Sequence, residues 1–222
     1  MLSEDFESLF EDIDRPREFR KIQSSEAKSL KESVPDDLFE YFTVYGRSIL
    51  FEGRYQTCHP DDMRGVLSLI FRADKDFTHK NCHAFLFSSF GEISFWHQEH
   101  GYGSVNLLSG EVICRSFTKK TVRGPGFLKT FIVGFASETF EYDFYDTNDR
   151  PLFSRARRKL GEIGIGECYG FVPALGLGGV PELETLKKLK APEHFAILAQ
   201  LIDFQLIDVQ GYGKSVVVRE IG

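Results

Sequence analysis

The chain has 222 residues, 42% of them hydrophobic, with 33 acidic against 27 basic side chains and a formal net charge of −6. That length and apolar content can bury a substantial core, as one large α+β domain or as two smaller ones sharing an interface, and the sign of the charge argues against a nucleic-acid binder, which would be basic. No apolar run approaches the roughly 18 residues that span a bilayer, and residues 1–14 are acidic and amphipathic rather than basic and then apolar, so a cytoplasmic address is expected.

The charge excess sits at one end. Residues 1–40 carry twelve Asp or Glu against six Lys or Arg, and the remainder of the chain is balanced. Cys58, Cys82, Cys114 and Cys168 form no C-x-x-C pair, which argues against a zinc knuckle or a disulfide framework. They are expected to be reduced and buried.

Phe6, Leu9, Phe10 and Ile13 recur at helical spacing, predicting an amphipathic helix over residues 3–12. A weaker helix follows over 25–34, and a third carries Leu38, Phe39, Phe42 and Tyr45 between Pro35 and Gly46. After an extended piece at 55–60, Asp61 or the residue before it caps a helix through Met63, Val66, Leu67, Ile70 and Phe71. From His83 the period changes to two, and residues 83–114 read as an antiparallel meander of about four strands, one face covered by the preceding helices. Residues 116–126 are polar, basic and turn-rich, and are taken as a linker between an N-terminal part, 1–115, and a C-terminal part, 127–222. The C-terminal part reads as mostly helical, with helices at 127–140, 151–160, 181–190 and 192–202, before a hairpin at 204–219. The fold class is therefore α+β.

Within that part, residues 161–179 hold seven glycines interleaved with Ile163, Ile165, Tyr169, Phe171, Val172, Leu175 and Leu177. The composition predicts a buried irregular loop rather than a solvated linker. The spacing of Gly164, Gly166 and Gly170 misses the dinucleotide fingerprint, and no Gly-Lys-Ser/Thr follows.

Candidate chemistry is sparse. His79 and His83, four apart, and His97 and His100, three apart beside Glu99, offer metal-type donors. Residues three apart on a strand face opposite sides, and a His-x-x-x-His outside a helix does not bring its rings together, so no metal and no cofactor is expected. Cys58, His59 and Asp61 are too close in sequence for a typical catalytic triad. The cationic run 155–159 complements a helix C-terminus. Residues 138–149 carry Glu138, Glu141, Asp143, Asp146 and Asp149 with four aromatics and no cation. Alternation there would put Glu141 and Asp143 on one face of a strand and Tyr142 and Phe144 on the other. The run reads either as a charge-protected edge strand or as a patch that imitates nucleic acid and docks on a basic protein.

The chain as a whole resembles the GAD-like immunity proteins that bacteria encode beside type VI secretion DNase effectors. The N-terminal likeness is carried by Val34-Pro35-Asp36-Asp37-Leu38, Tyr45-Gly46, Gly53-Arg54-Tyr55-Gln56, His59-Pro60-Asp61-Asp62 and Phe90-Gly91-Glu92. The C-terminal likeness is more specific: Asp149-Arg150-Pro151-Leu152-Phe153, Gly166-Glu167-Cys168-Tyr169-Gly170-Phe171-Val172-Pro173-Ala174-Leu175, and His194-Phe195-Ala196-Ile197-Leu198-Ala199-Gln200-Leu201. The resemblance implies a non-enzymatic inhibitor that binds a cognate nuclease toxin and contacts neither nucleic acid nor membrane directly. Its partner-binding residues are expected among the five carboxylates of the acidic run together with Tyr142, Tyr145, Glu162, Glu167 and Tyr169. The alternatives are a small-ligand-binding regulatory domain, with the glycine stretch lining a pocket, and a metal-dependent enzyme built on the four histidines.

Overall fold

The structure, a computed structural model, describes residues 4–12, 15–16, 18–119, 143–211 and 214–222. Helix α1, Glu4–Asp12, buries Phe6 and Phe10, one turn apart. Strand β1, Phe19–Arg20, precedes α2, Ser24–Ser33, whose capping box is reciprocal: the Gln23 amide donates to Glu26 Oε2 at 2.7 Å. Helix α3, Asp36–Val44, starts immediately after Pro35 and turns Leu38, Tyr41 and Phe42 inward. Strands β2, Arg47–Leu50, and β3, Tyr55–Thr57, lead into α4, Pro60–Ile70. The cap of α4 is His59, one position earlier than the sequence suggested: its Nδ1 accepts the Asp61 N–H at 3.2 Å while Asp62 accepts the His59 N–H at 3.0 Å.

The meander is present as β4, Cys82–Ser88, β5, Glu92–His97, β6, Gly101–Asn106, and β7, Glu111–Ile113, followed by the short α5, Arg115–Lys119. After residue 142 come α6, Phe153–Leu160, β8, Glu167–Phe171, β9, Leu186–Lys190, α7, Ala191–Leu198, and the closing hairpin β10, Phe204–Gly211, with β11, Lys214–Ile221. Nine strands form one sheet in the order β1-β2-β3-β4-β5-β6-β7-β10-β11, and β8 pairs with β9 apart from it. The large sheet is antiparallel except where Gln205, Leu206 and Ile207 run parallel to Glu111, Val112 and Ile113. Gly110 permits that junction. Its φ is +75°, and a Cβ there would lie 2.4 Å from the Asp203 carbonyl oxygen.

Both faces of the sheet are covered, where the sequence had suggested one. On one face α4 and α7 close over Ala84, Phe87, Ile93, Phe95 and Val105; on the other α1, α2 and α3 close over Leu50, Tyr55, Phe85, Leu86 and Trp96. The register of β4 against β5 shifts between Ala84 and Leu86, and this bulge sends the consecutive Phe85 and Leu86 into the same core. A third, smaller core joins Phe90 to Leu152, Phe153, Ala156, Ile163, Tyr169, Phe171 and Leu186.

The C-terminal part is not mostly helical. The expected helix at 181–190 is a 3-10 turn, Leu183–Thr185, followed by strand β9. Leucines three apart suit a helix face, but they equally put Leu186 and Leu189 on opposite sides of a strand, and Leu186 enters the third core while Leu189 packs on the first. The glycine stretch is likewise not one irregular loop: its middle is β8, buried from Cys168 to Phe171, and its tail reaches the surface. The helix expected at 127–140 lies outside the described residues.

Candidate partner-binding surface

Two side chains from the N-terminal motif Gly53-Arg54-Tyr55-Gln56 hold the C-terminal module on the sheet. Gln56 is buried on β3; its Nε2 donates to the carbonyls of Glu167 at 2.9 Å and Gly164 at 3.2 Å, and its Oε1 accepts the Gly166 N–H at 2.8 Å. One amide therefore satisfies three backbone groups at the entry to β8. The Arg54 guanidinium donates to Asp143 at 3.1 Å and lies 4.4 Å from the centroid of the Phe153 ring. The backbone continues the link, with Ser89 N–H donating to Arg54 O at 2.8 Å and Tyr169 N–H to Ser89 O at 2.9 Å.

Of the acidic run, Glu138, Glu141 and Tyr142 lie outside the described residues. Asp143 and Asp146 point inward, and residues 144–152 form a tight turn rather than an alternating strand, with Tyr145 bridged to Pro151. Asp143 accepts the Phe153 N–H at 2.8 Å and so caps α6. The buried Asp146 accepts from Arg155 at 2.6 Å, from Arg150 Nε at 3.0 Å, and from the N–H groups of Asn148 and Arg150 at 2.9 and 3.1 Å. Desolvation raises its pKa, but these bonds to Arg155, Arg150 and the backbone outweigh it and hold the carboxyl well below the usual range. Tyr145 and Asp149 are exposed.

The remaining expected site residues divide the same way. Tyr169 is buried, donating to Gly161 O at 2.7 Å, and burial pushes its phenol up to about 12. Glu167 is half-buried; the Gly164 N–H, donated at 2.9 Å, and then Lys190 at 3.2 Å hold its carboxyl below the ordinary value. Glu162 is exposed and pairs with Arg157, which also reaches Glu52 at 2.9 Å. Among the described residues the glycine stretch lines open clefts of about 390 Å³ between Ile49, Phe51 and Ile163, about 370 Å³ beside Ser154, Arg158 and Gly161, and about 220 Å³ beside Cys58, Ile165 and Gly166.

His97 and His100 do come together, their centroids 4.5 Å apart, because β5 ends at His97 and the chain turns: His97 Nδ1 accepts the N–H groups of Glu99 and His100, both at 3.1 Å. His79 offers its carbonyl to Arg64 at 3.1 Å. Burial, then the Arg64 charge, depresses the pKa of His83 to about 4, leaving a neutral ring inside β4. Among the described residues no group of three or more His, Cys, Asp or Glu is placed to hold a metal ion. All four cysteines are free and buried, and desolvation raises the Cys58 thiol well above its ordinary value.

The sequence reading missed one surface feature. Beyond β8 the chain leaves Val172, Leu177 and Val180 exposed by 40%, 61% and 49%. Interleaved apolar residues had been taken as a sign of burial. The signal that separates this tail from β8 is Pro173 with the clustered glycines Gly176, Gly178 and Gly179, which mark turns that reach the surface. No described helix is long and apolar enough to cross a membrane.

Residues 4–109 match the model of the GAD-like domain, and residues 132–202 match that of the T6SS immunity protein Tdi1, C-terminal. Among solved structures, the chain is similar to the crystal structure of Atu4351 from Agrobacterium tumefaciens, with 24% identity over 98% of both chains and a TM-score of 0.88, a likeness of fold. No curated protein matches it. The two matched regions meet at Arg54 and Gln56: the chain joins a region matching the GAD-like domain to one matching the C-terminal domain of the T6SS immunity protein Tdi1.

Proposed function

We propose that this protein is an immunity protein that binds a cognate type VI secretion nuclease toxin in the cytoplasm and neutralises it by covering its active site or DNA groove, with no turnover of its own. The observation that carries the reading is the match of residues 132–202 to an immunity protein's C-terminal domain, in a chain whose C-terminal module is fixed to the sheet by Gln56. A fixed module favours stoichiometric capture, because little ordering remains to be done on binding. The net charge of −6 favours a basic partner and fast, salt-sensitive association.

Protection at low copy number requires a dissociation constant near nanomolar, about −12 kcal/mol. In this reading the exposed carboxylates Asp149 and Glu162, with Tyr145, belong to the docking surface, and Glu138, Glu141 and Tyr142 extend it along the chain. Asp143, Asp146 and Tyr169 support it from within. Co-expression with the nuclease encoded by the adjacent reading frame tests the proposal: cells keep intact DNA with the chain and lose it without. DNA degraded equally in both would remove the inhibitor reading.

A further inference from the structure

Residues 161–186 contain four glutamates and no lysine or arginine; cations from outside the stretch pair with three of them, Arg157 with Glu162, Lys190 with Glu167 and Lys159 with Glu184. Within that stretch the loop after β8 is built as a firm knuckle. Ala174 O accepts the N–H groups of Leu177 at 2.8 Å and Gly179 at 3.1 Å, and Thr185 Oγ1 donates to Val180 O at 2.8 Å. Gly179 is required for the fold of the loop, since a Cβ there would lie 2.0 Å from the Pro173 carbonyl oxygen. On this frame sit Val172, Leu177 and Val180, with Leu177 the most exposed of the large hydrophobic residues. Three exposed aliphatic side chains on a firm frame suit contact with another protein. Beside them the Glu182 carboxylate reaches the Thr147 hydroxyl, and among the described residues no cation pairs with it.

We infer that this knuckle is the anchor by which the chain grips its partner, and that the partner presents an apolar slot inside a basic surface, the chemistry of a protein groove that holds DNA. The inference rests on the inhibitor reading and deepens it. Leu177 enters the slot, Val172 and Val180 seal it, and the Glu182 carboxylate at its rim meets the partner's lysines and arginines. Such an anchor is preformed, so binding loses little conformational entropy to it.

The test measures binding of the full chain to the protein encoded by the adjacent reading frame, by surface-immobilised kinetics. Leu177→Ala weakens capture about 10-fold and Leu177→Asp about 100-fold, mainly through faster dissociation. Glu182→Lys slows association at low ionic strength, and Val217→Asp, at an equally exposed valine on β11, changes neither rate. The Leu177 side chain is mostly in water, so these variants melt as the wild type does. If the wild type captures the nuclease and both Leu177 variants capture it equally well, the knuckle is overturned and the inhibitor reading stands; so too if Val217→Asp weakens capture as much. If the wild type captures nothing, both fall together.

Discussion

All seven residues of β4 are buried, and the sheet around it is closed by apolar side chains on both faces. The module that carries α6, β8 and β9 rests on a third core of eight residues and is fixed by polar bonds: Asp146 at the centre of two arginines and two backbone N–H groups, Asp143 between Arg54 and the start of α6, Gln56 of β3 across three backbone groups. A small core buries too little surface to fix its own loops, so directional polar bonds do that work. The module leaves its apolar knuckle outward; the sheet turns nearly all its aromatic residues inward and exposes valines only along β11 among the described residues. One region stores stability, and the other uses it to hold a surface in place.

That contrast can be broken most severely at Gln56. Gln56→Ala removes three hydrogen bonds from the part-buried backbone groups of Gly164, Gly166 and Glu167, costing about 2–3 kcal/mol. Amide exchange in β8 and β9 accelerates while β4, β5 and β6 keep their protection; uniform acceleration across both would erase the distinction. Asp143→Ala sharpens the contrast with a smaller effect. It uncaps α6 and frees Arg54, for about 1–2 kcal/mol, read as a lower urea midpoint with unchanged slope. An unchanged midpoint would show that the cap contributes nothing.

Where the pattern of the chain has a single period, the fold was legible. The meander, the terminal hairpin and the helices at Glu4–Asp12, Asp36–Val44 and Pro60–Ile70 follow from alternation and from residues three or four apart. The strand β9 was misread because Leu183, Leu186 and Leu189 fit a helix as well as a strand with a core on each side. The candidate site was legible only in part. Five carboxylates without a cation look like a solvated patch, yet Arg150 and Arg155, which follow them, fold back on Asp146, and Arg54, far earlier in the chain, reaches Asp143. Long-range partners of this kind leave no mark on local composition. The role of Gln56 was equally hidden, since a glutamine on a strand says nothing about the loop that will cross it.

The central claim is that the chain acts by presenting its C-terminal module to another protein. Hydrogen exchange read by mass spectrometry, with and without the proposed cognate toxin, tests this directly. The account predicts new protection over residues 172–186 and 143–149, with the amides of β4, β5 and β6 unchanged. Protection confined to α1, α2 and α3 on the far face of the sheet, with the knuckle exchanging as in the free chain, would contradict it.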